Sequence, residues 1–169
     1  MSKILFVFLF FFIFRIISLI FSILNEKRIK KNGAIEVGRT NSILLTIVHL
    51  LYYMSCLYEA YFNRVKFDSI SIVGVFILFF AYSILFYVIY ELKDVWTVKI
   101  FILPEHKVNR SFLFRMVRHP NYFLNIIPEL IGLGFLCHSW KTMTIGLPIY
   151  LIVLFIRISQ EEKAMKNLY

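Results

Sequence analysis

The chain has 169 residues, of which 60% are hydrophobic and 18% aromatic, and its formal net charge is +9. A water-soluble domain of about this size buries only roughly 70% of its unfolded surface and is about 45–50% apolar, so these totals argue against a soluble globular protein. They also argue against a nucleic-acid binder, because the basic residues lie in the gaps between apolar runs and not on a polar face. Lipid is therefore the expected solvent.

Apolar runs long enough for helices follow one another along the chain. A helix needs roughly 20 residues to cross about 30 Å of hydrocarbon. The candidate runs, the last two of them shorter, are 4–24, 42–62, 69–90, 121–137 and 142–156. Helices are expected because an open strand in lipid leaves backbone groups unpaired. The sequence thus predicts an all-α fold: a polytopic transmembrane bundle of about five helices, forming one domain over residues 1–169.

The connection between the last two runs is short. Only residues 138–141 separate them, which predicts a tight antiparallel pair. The Gly132-Leu133-Gly134 sequence in the fourth run indicates close helix packing.

A few ionisable residues lie inside the apolar runs. Arg15 is in the first run and Glu129 is in the fourth. Intramembrane charges are candidates for function, but an Arg15–Glu129 pair would also neutralise both. His49 is interpreted as a packed, hydrogen-bonded histidine, and Glu59 as a residue that reaches the headgroups.

The loops differ strongly in charge. Alternating crossings put fourteen lysines and arginines on the side of residues 25–41, 91–120 and the C-terminus, against four on the side of the N-terminus. Basic loops stay in the cytoplasm. We therefore expect the N-terminus outside and the C-terminus in the cytoplasm, where residues 91–120 meet the C-terminal segment.

The two cytoplasmic segments carry the polar side chains that could perform chemistry. His119 precedes Pro120, which suits the first turn of a helix, and a helix N-terminus attracts anions. The simpler interpretation is a basic membrane interface with Tyr122 in the aromatic belt. Arg157 and Glu161 are four residues apart, so an ion pair on one helix face is available. Glu162 points elsewhere, and two carboxylates suit a ligand with hydroxyl and ammonium groups.

Together, these segments resemble a known family. The sequence Arg118-His119-Pro120-Asn121-Tyr122, followed by Arg157-x-x-x-Glu161-Glu162, is similar to the isoprenylcysteine carboxyl methyltransferase family. The likeness covers about residues 96–168. A weaker likeness, through Asn25-Glu26-Lys27 and Trp96-Thr97-Val98-Lys99, extends to a bacterial branch and implies the bacterial inner membrane.

The resemblance implies a cofactor, S-adenosylmethionine, bound in a cytoplasmic pocket of the bundle, and the residues that contact it. The implied cofactor-binding residues are Lys99, His106, Lys107, Val108, Asn109, His119, Pro120, Asn121, Tyr122 and Glu161. Glu162 is a further candidate for cofactor binding beside Glu161, and Phe114, with Tyr122, is expected near the sulfonium because ring faces favour cations. Arg157 is implied to bind the substrate's carboxylate, and Arg157 and His119 are the implied catalytic residues. Phe112 and Phe114 depart from the family pattern, which usually has Gly and Tyr there. No motif for a metal site occurs.

The predicted function is an S-adenosylmethionine-dependent O-methyltransferase. The expected acceptor is a carboxylate or hydroxyl of a lipid-like or prenylated molecule, and no nucleic acid is expected as a partner. One alternative is a phospholipid N-methyltransferase, with His119 or His106 as the base. Another is a non-enzymatic transporter or scaffold that uses Arg15 and Glu129.

Overall fold

The computed structural model describes residues 2–102, 117 and 119–166, and for residues 165 and 166 it describes the backbone. Three continuous helices come first: α1 (Ser2–Lys31), α2 (Arg39–Phe62) and α3 (Ser69–Leu92). Helix α4 begins with a π-helical segment, Asn121–Ile126, and continues as Ile127–Cys137. Helix α5 likewise begins with a π-helical segment, Thr142–Gly146, and continues as Leu147–Lys166.

These helices confirm the predicted transmembrane bundle. Four of them are long and apolar enough to cross a membrane, and the helix over Asn121–Cys137 is shorter. Large apolar side chains such as Phe6 and Phe76, each at least 70% exposed, cover the outside of the bundle. An exposed apolar surface of this kind is expected of helices that face lipid.

Helices α1 and α5 extend beyond their apolar runs, to Lys31 and Lys166. The last turn of α1 contains Arg28, Lys30 and Lys31. Cations are favourable at a helix C-terminus, so the helix continues past the point where the hydrophobic pattern stops.

Helix α4 packs chiefly against α3, so the predicted tight pair of α4 and α5 was wrong. The reason lies in two glycines. A β-carbon on Gly74 would come within 2.7 Å of the Gly132 carbonyl oxygen, and one on Gly132 would come within 2.9 Å of Leu78. The helices approach too closely for a side chain at either position, as the glycines of α4 indicated. Helix α5 packs along α2 instead.

A core ion cluster of Arg15, Glu129, Tyr53 and Tyr82 joins four helices inside the bundle. Arg15 Nε donates to Glu129 Oε1 at 3.0 Å, and the two charges also form an ion pair. The hydroxyl groups of Tyr53 and Tyr82 donate to the same carboxylate. The predicted Arg15–Glu129 pair is thus confirmed.

The other polar residues of the apolar runs also have partners. The Nδ1 atom of His49 lies 3.0 Å from the Tyr150 hydroxyl, as expected of a packed histidine. Glu59 does not act merely as a headgroup residue. Its carboxylate accepts from the backbone amides of Lys141 and Thr142 at 3.1 and 3.0 Å, and so caps the start of α5.

A two-stranded antiparallel sheet lies at the end of the bundle where α1, α3 and α5 finish. Strand β1 is Ile35–Val37 and strand β2 is Ile100–Ile102, with Ile35 opposite Ile102. Both strands contact α5. The sheet is too small to change the all-α class, but it closes the bundle beside the polar segments.

Candidate active site

The polar start of α4 and the polar end of α5 meet at this end of the bundle. His119, just before α4, places Nδ1 3.4 Å from Glu161 Oε1 and Nε2 3.5 Å from Glu162 Oε1 near the end of α5. The Tyr122 hydroxyl donates to Glu161 Oε2 at 2.5 Å. The structure therefore brings together, across about forty residues of chain, the two motifs that the sequence singled out. We refer to His119, Tyr122, Glu161 and Glu162 as the acidic clasp.

The local backbone explains how α4 presents its side chains. Pro120 has helical angles of φ −63° and ψ −34°, so its fixed φ starts the helix. The first six residues then form a π-helix, a wide turn that often occurs at functional sites. The backbone amide of Tyr122 donates to the His119 carbonyl at 3.1 Å. The rings of His119 and Tyr122 stack with centroids 5.8 Å apart.

His119 carries a positive charge more readily than an ordinary histidine. Its pKa is raised, chiefly by the hydrogen bond to Glu161 and further by the charges of Glu161 and Glu162, while burial opposes the shift. A protonated imidazole at a helix N-terminus can bind an anion, and the adjacent carboxylates can bind hydroxyl or ammonium groups. The acidic clasp thus offers both signs of charge within one small region.

Arg157 is fully buried one helical turn before the acidic clasp. Its side chain is 1% exposed. Nη1 donates to the Ser42 hydroxyl at 2.6 Å, and Nη2 donates to the Val98 carbonyl at 3.0 Å. The available pair with Glu161 is not its main contact, although its charge still acts on Glu161. The guanidinium turns towards α2 and the sheet because two fixed oxygens lie there.

Three buried polar atoms near the clasp have no hydrogen-bond partner among the described residues: Arg157 Nε, Asn125 Oδ1 and Gln160 Oε1. Asn125 is completely buried, and its Nδ2 donates to Asn121 Oδ1 at 3.0 Å. Sequence reasoning missed Asn125 and Gln160. A signal was present, because Asn125 is a polar residue inside an apolar helix, one turn from Asn121. Buried polar groups without partners are expensive, which makes them candidates for ligand contacts.

Lys99 occupies a different position from the other predicted cofactor residues. Its Nζ lies 2.9 Å from Glu26 Oε1 and 3.8 Å from Glu36 Oε1. Lys99 directly precedes strand β2, so these pairs connect the start of β2 with α1 and β1, and they neutralise the lysine. The other predicted contacts, His106, Lys107, Val108, Asn109 and Phe114, lie outside the described residues. Within the described ranges, no group of three His, Cys, Asp or Glu residues could hold a metal ion.

Comparisons with known proteins give a family and two similar proteins. The family model described as isoprenylcysteine carboxyl methyltransferase matches residues 72–167, which contain all of the acidic clasp and Arg157. An uncharacterized protein of Haemophilus influenzae is 56% identical over 155 residues, covering 92% of this chain and 90% of its own length. The uncharacterized protein YpbQ of Bacillus subtilis is 26% identical over 144 residues, covering 85% and 84%. No solved structure matches the chain.

The family match covers more than half of the chain and includes both polar motifs and the helices that present them. The chain therefore belongs to the isoprenylcysteine carboxyl methyltransferase family.

Proposed function

We propose that this protein uses S-adenosylmethionine to methylate a carboxylate or hydroxyl oxygen of a lipid-like or prenylated acceptor. Family membership supports a membrane methyltransferase. The observation that carries the finer proposal is the acidic clasp, in which His119, just before α4, and Tyr122 of α4 meet Glu161 and Glu162 of α5.

The residues of the clasp fit the polar groups of this cofactor. S-adenosylmethionine has an amino-acid end with both charges, a ribose with two hydroxyl groups, and a methyl group on a positively charged sulfur. Glu161 and Glu162 suit the hydroxyl or ammonium groups, and protonated His119 at the start of α4 suits the carboxylate. The unpartnered, fully buried Asn125 Oδ1 offers a further acceptor. The resemblance adds Pro120 and Asn121 to this set.

The chain's own residues act mainly by positioning. A carboxylate or enolate oxygen is already nucleophilic, so holding it in line can supply most of the acceleration. Arg157 has the charge to hold such an oxygen, and Ser42 and Val98 fix the direction of its guanidinium. Tyr122 presents a ring face, which favours a nearby cation. The apolar part of the acceptor stays in the lipid around the bundle.

The two alternatives have less support from the side-chain contacts. N-methylation of a headgroup needs a base, but His119 lies between two carboxylates that raise its pKa and so favour its charged form, which cannot accept a proton. A transport role would use Arg15 and Glu129, but these charges are already paired and held by Tyr53 and Tyr82. We place the acidic clasp on the cytoplasmic side of a bacterial inner membrane, because the basic loops lie on that side.

The proposal is tested with membranes that contain the protein and S-adenosylmethionine labelled in the methyl group. Label should appear in the lipid or protein fraction that holds the acceptor. Purified Glu161→Gln and His119→Ala variants should lose binding of the labelled cofactor while they remain folded. The matched control is Glu59→Gln, because Glu59 caps the opposite end of α5. Unchanged binding in both clasp variants, or no transfer by the native protein, would refute the proposal.

A further inference from the structure

Helix α1 lies outside residues 72–167, which match the family model. One side of this helix nevertheless carries a stripe of polar side chains that faces the matched part of the chain. Ser22, Asn25 and Glu26 are three and four residues apart and share one side of the helix. Ser22 is 2% exposed and Asn25 is 8% exposed. Polar side chains buried on an otherwise apolar helix need specific partners.

The partners of these three side chains lie in the connection that leads from α3 to β2, apart from Lys30, which pairs with Glu26 within α1. The Asn25 side-chain amide donates to the carbonyls of Lys93 and Trp96 at 2.8 and 2.9 Å. The Ser22 hydroxyl accepts from the backbone amide of Val98 at 3.0 Å. Glu26 pairs with Lys99, as described above. The stripe thus holds this connection at its beginning, middle and end.

The same connection holds Arg157. The backbone of Val98 makes two such hydrogen bonds: its N–H donates to the Ser22 hydroxyl, and its carbonyl accepts from Arg157 Nη2. With Nη1 bound to Ser42, the Arg157 plane is fixed by two anchors, one of which depends on α1. Arg157 Nε remains a buried donor without a partner among the described residues.

We propose that Ser22 and Asn25 are positioning residues that orient the Arg157 guanidinium through Val98 and thereby set the affinity for the acceptor. The inference rests on the proposed function, in which Arg157 holds the acceptor oxygen. Among the described residues, the hydrogen bonds of Ser22 and Asn25 run to Val98, Lys93 and Trp96 and not to the acidic clasp. Their loss therefore weakens acceptor binding and leaves cofactor binding intact.

The chain offers a matched pair of variants for the test. Ser22→Ala removes the acceptor for the Val98 amide. Ser18→Ala is the control, because Ser18 is also buried in α1 but its hydroxyl donates to the Arg15 carbonyl of the same helix at 2.8 Å. Ser22→Thr keeps the hydroxyl and serves as the rescue. Asn25→Asp replaces the donor to two carbonyls with a carboxylate, so it should have a larger effect in the same direction.

Steady-state methylation is measured with labelled S-adenosylmethionine and N-acetyl-S-farnesylcysteine, a prenylated probe with a free carboxylate. We expect the KM for the probe to rise up to about tenfold in Ser22→Ala, as for the loss of one hydrogen bond. The Kd for the labelled cofactor should change by less than about twofold, within the margin expected of an independent site. Hydrogen exchange at the Val98 amide should become faster. Ser18→Ala and Ser22→Thr should behave like the native protein.

Each outcome separates this inference from the proposed function. Native protein that transfers no methyl group to the probe overturns the prenylated-carboxylate form of the proposed function and the inference with it. Native activity with equal KM values for Ser22→Ala and Ser18→Ala overturns the inference alone. A parallel loss of probe and cofactor binding in Ser22→Ala also overturns it, because that result indicates a general structural role.

Discussion

The protein has two buried polar regions that differ in how completely their groups are paired. In the core ion cluster, Arg15 Nη2 and Glu129 Oε2 have no hydrogen-bond partner among the described residues but form an ion pair with each other, and two tyrosine hydroxyls bind the same carboxylate. Around the acidic clasp, Arg157 Nε, Asn125 Oδ1 and Gln160 Oε1 lack partners among the described residues. A satisfied cluster stabilises one arrangement of helices, whereas unpartnered groups cost stability unless a ligand uses them. The comparison assigns the first region to folding and the second to binding.

The largest effect is expected in the core ion cluster. Glu129→Ala leaves Arg15 as an uncompensated charge inside the bundle, which should cost about 3–5 kcal/mol of unfolding free energy. Denaturation of the purified protein in detergent measures this loss. Cofactor binding by the molecules that remain folded should be unchanged.

The double variant Arg15→Leu with Glu129→Leu is the control, because it removes both charges together. It should recover most of the lost stability. A single variant that is as stable as the native protein, yet inactive, would instead make Glu129 a functional residue and break the comparison.

An intermediate effect of opposite sign is expected beside the clasp. Asn125→Leu removes a fully buried amide whose oxygen has no partner among the described residues. Because an unsatisfied buried group costs about 1–3 kcal/mol, this variant should be as stable as the native protein or more stable. It should also bind labelled S-adenosylmethionine more weakly. Thermal unfolding and cofactor binding are measured on the same preparation, and a strong loss of stability with normal binding would contradict the assignment.

The smallest effect is the pH dependence of the clasp. The hydrogen bond to Glu161 raises the pKa of His119 in the folded protein. Its contribution to stability is therefore complete below the usual histidine pKa of about 6.5. It is lost as the pH rises through the higher folded-state value. The amount should be below about 1 kcal/mol, as for a partly exposed ion pair.

As the pH rises from about 6.5 to the higher folded-state pKa of His119, the unfolding temperature should fall more steeply for the native protein than for His119→Gln. The Glu59→Gln variant, altered at the other end of α5, should keep the native slope. Equal slopes for native protein and His119→Gln would show that the imidazole is not held as a cation by Glu161 and Glu162.

Much of the fold was predictable because lipid imposes simple length and polarity rules. The predicted runs 69–90 and 121–137 correspond closely to α3 (Ser69–Leu92) and α4 up to Cys137. The predicted ends of α1 and α5 were too early, because hydropathy follows apolar residues and the helices continue through polar ones. The pairing of α4 with α3 was missed, since the short connection after Cys137 outweighed the glycine signal in the prediction.

The site was predictable in part. The sequence indicated that His119 and Glu161 should meet. Two membrane crossings lie between them in the chain, so both residues are expected on the same side of the membrane. It could not indicate that Arg157 turns to Ser42 and Val98, since these contacts join residues more than fifty positions apart. Asn125 was also missed, because its burial depends on how α4 faces its neighbours.

The sequence by itself determined the solvent of this protein, the number of its helices and the two polar motifs, because hydrophobic length and local charge are properties of contiguous residues. Only the tertiary structure decided which buried polar groups pair with each other and which keep unpartnered atoms. That choice depends on helix rotation and on the close approach at Gly74 and Gly132. These are set by packing over the whole bundle, so no stretch of sequence contains them.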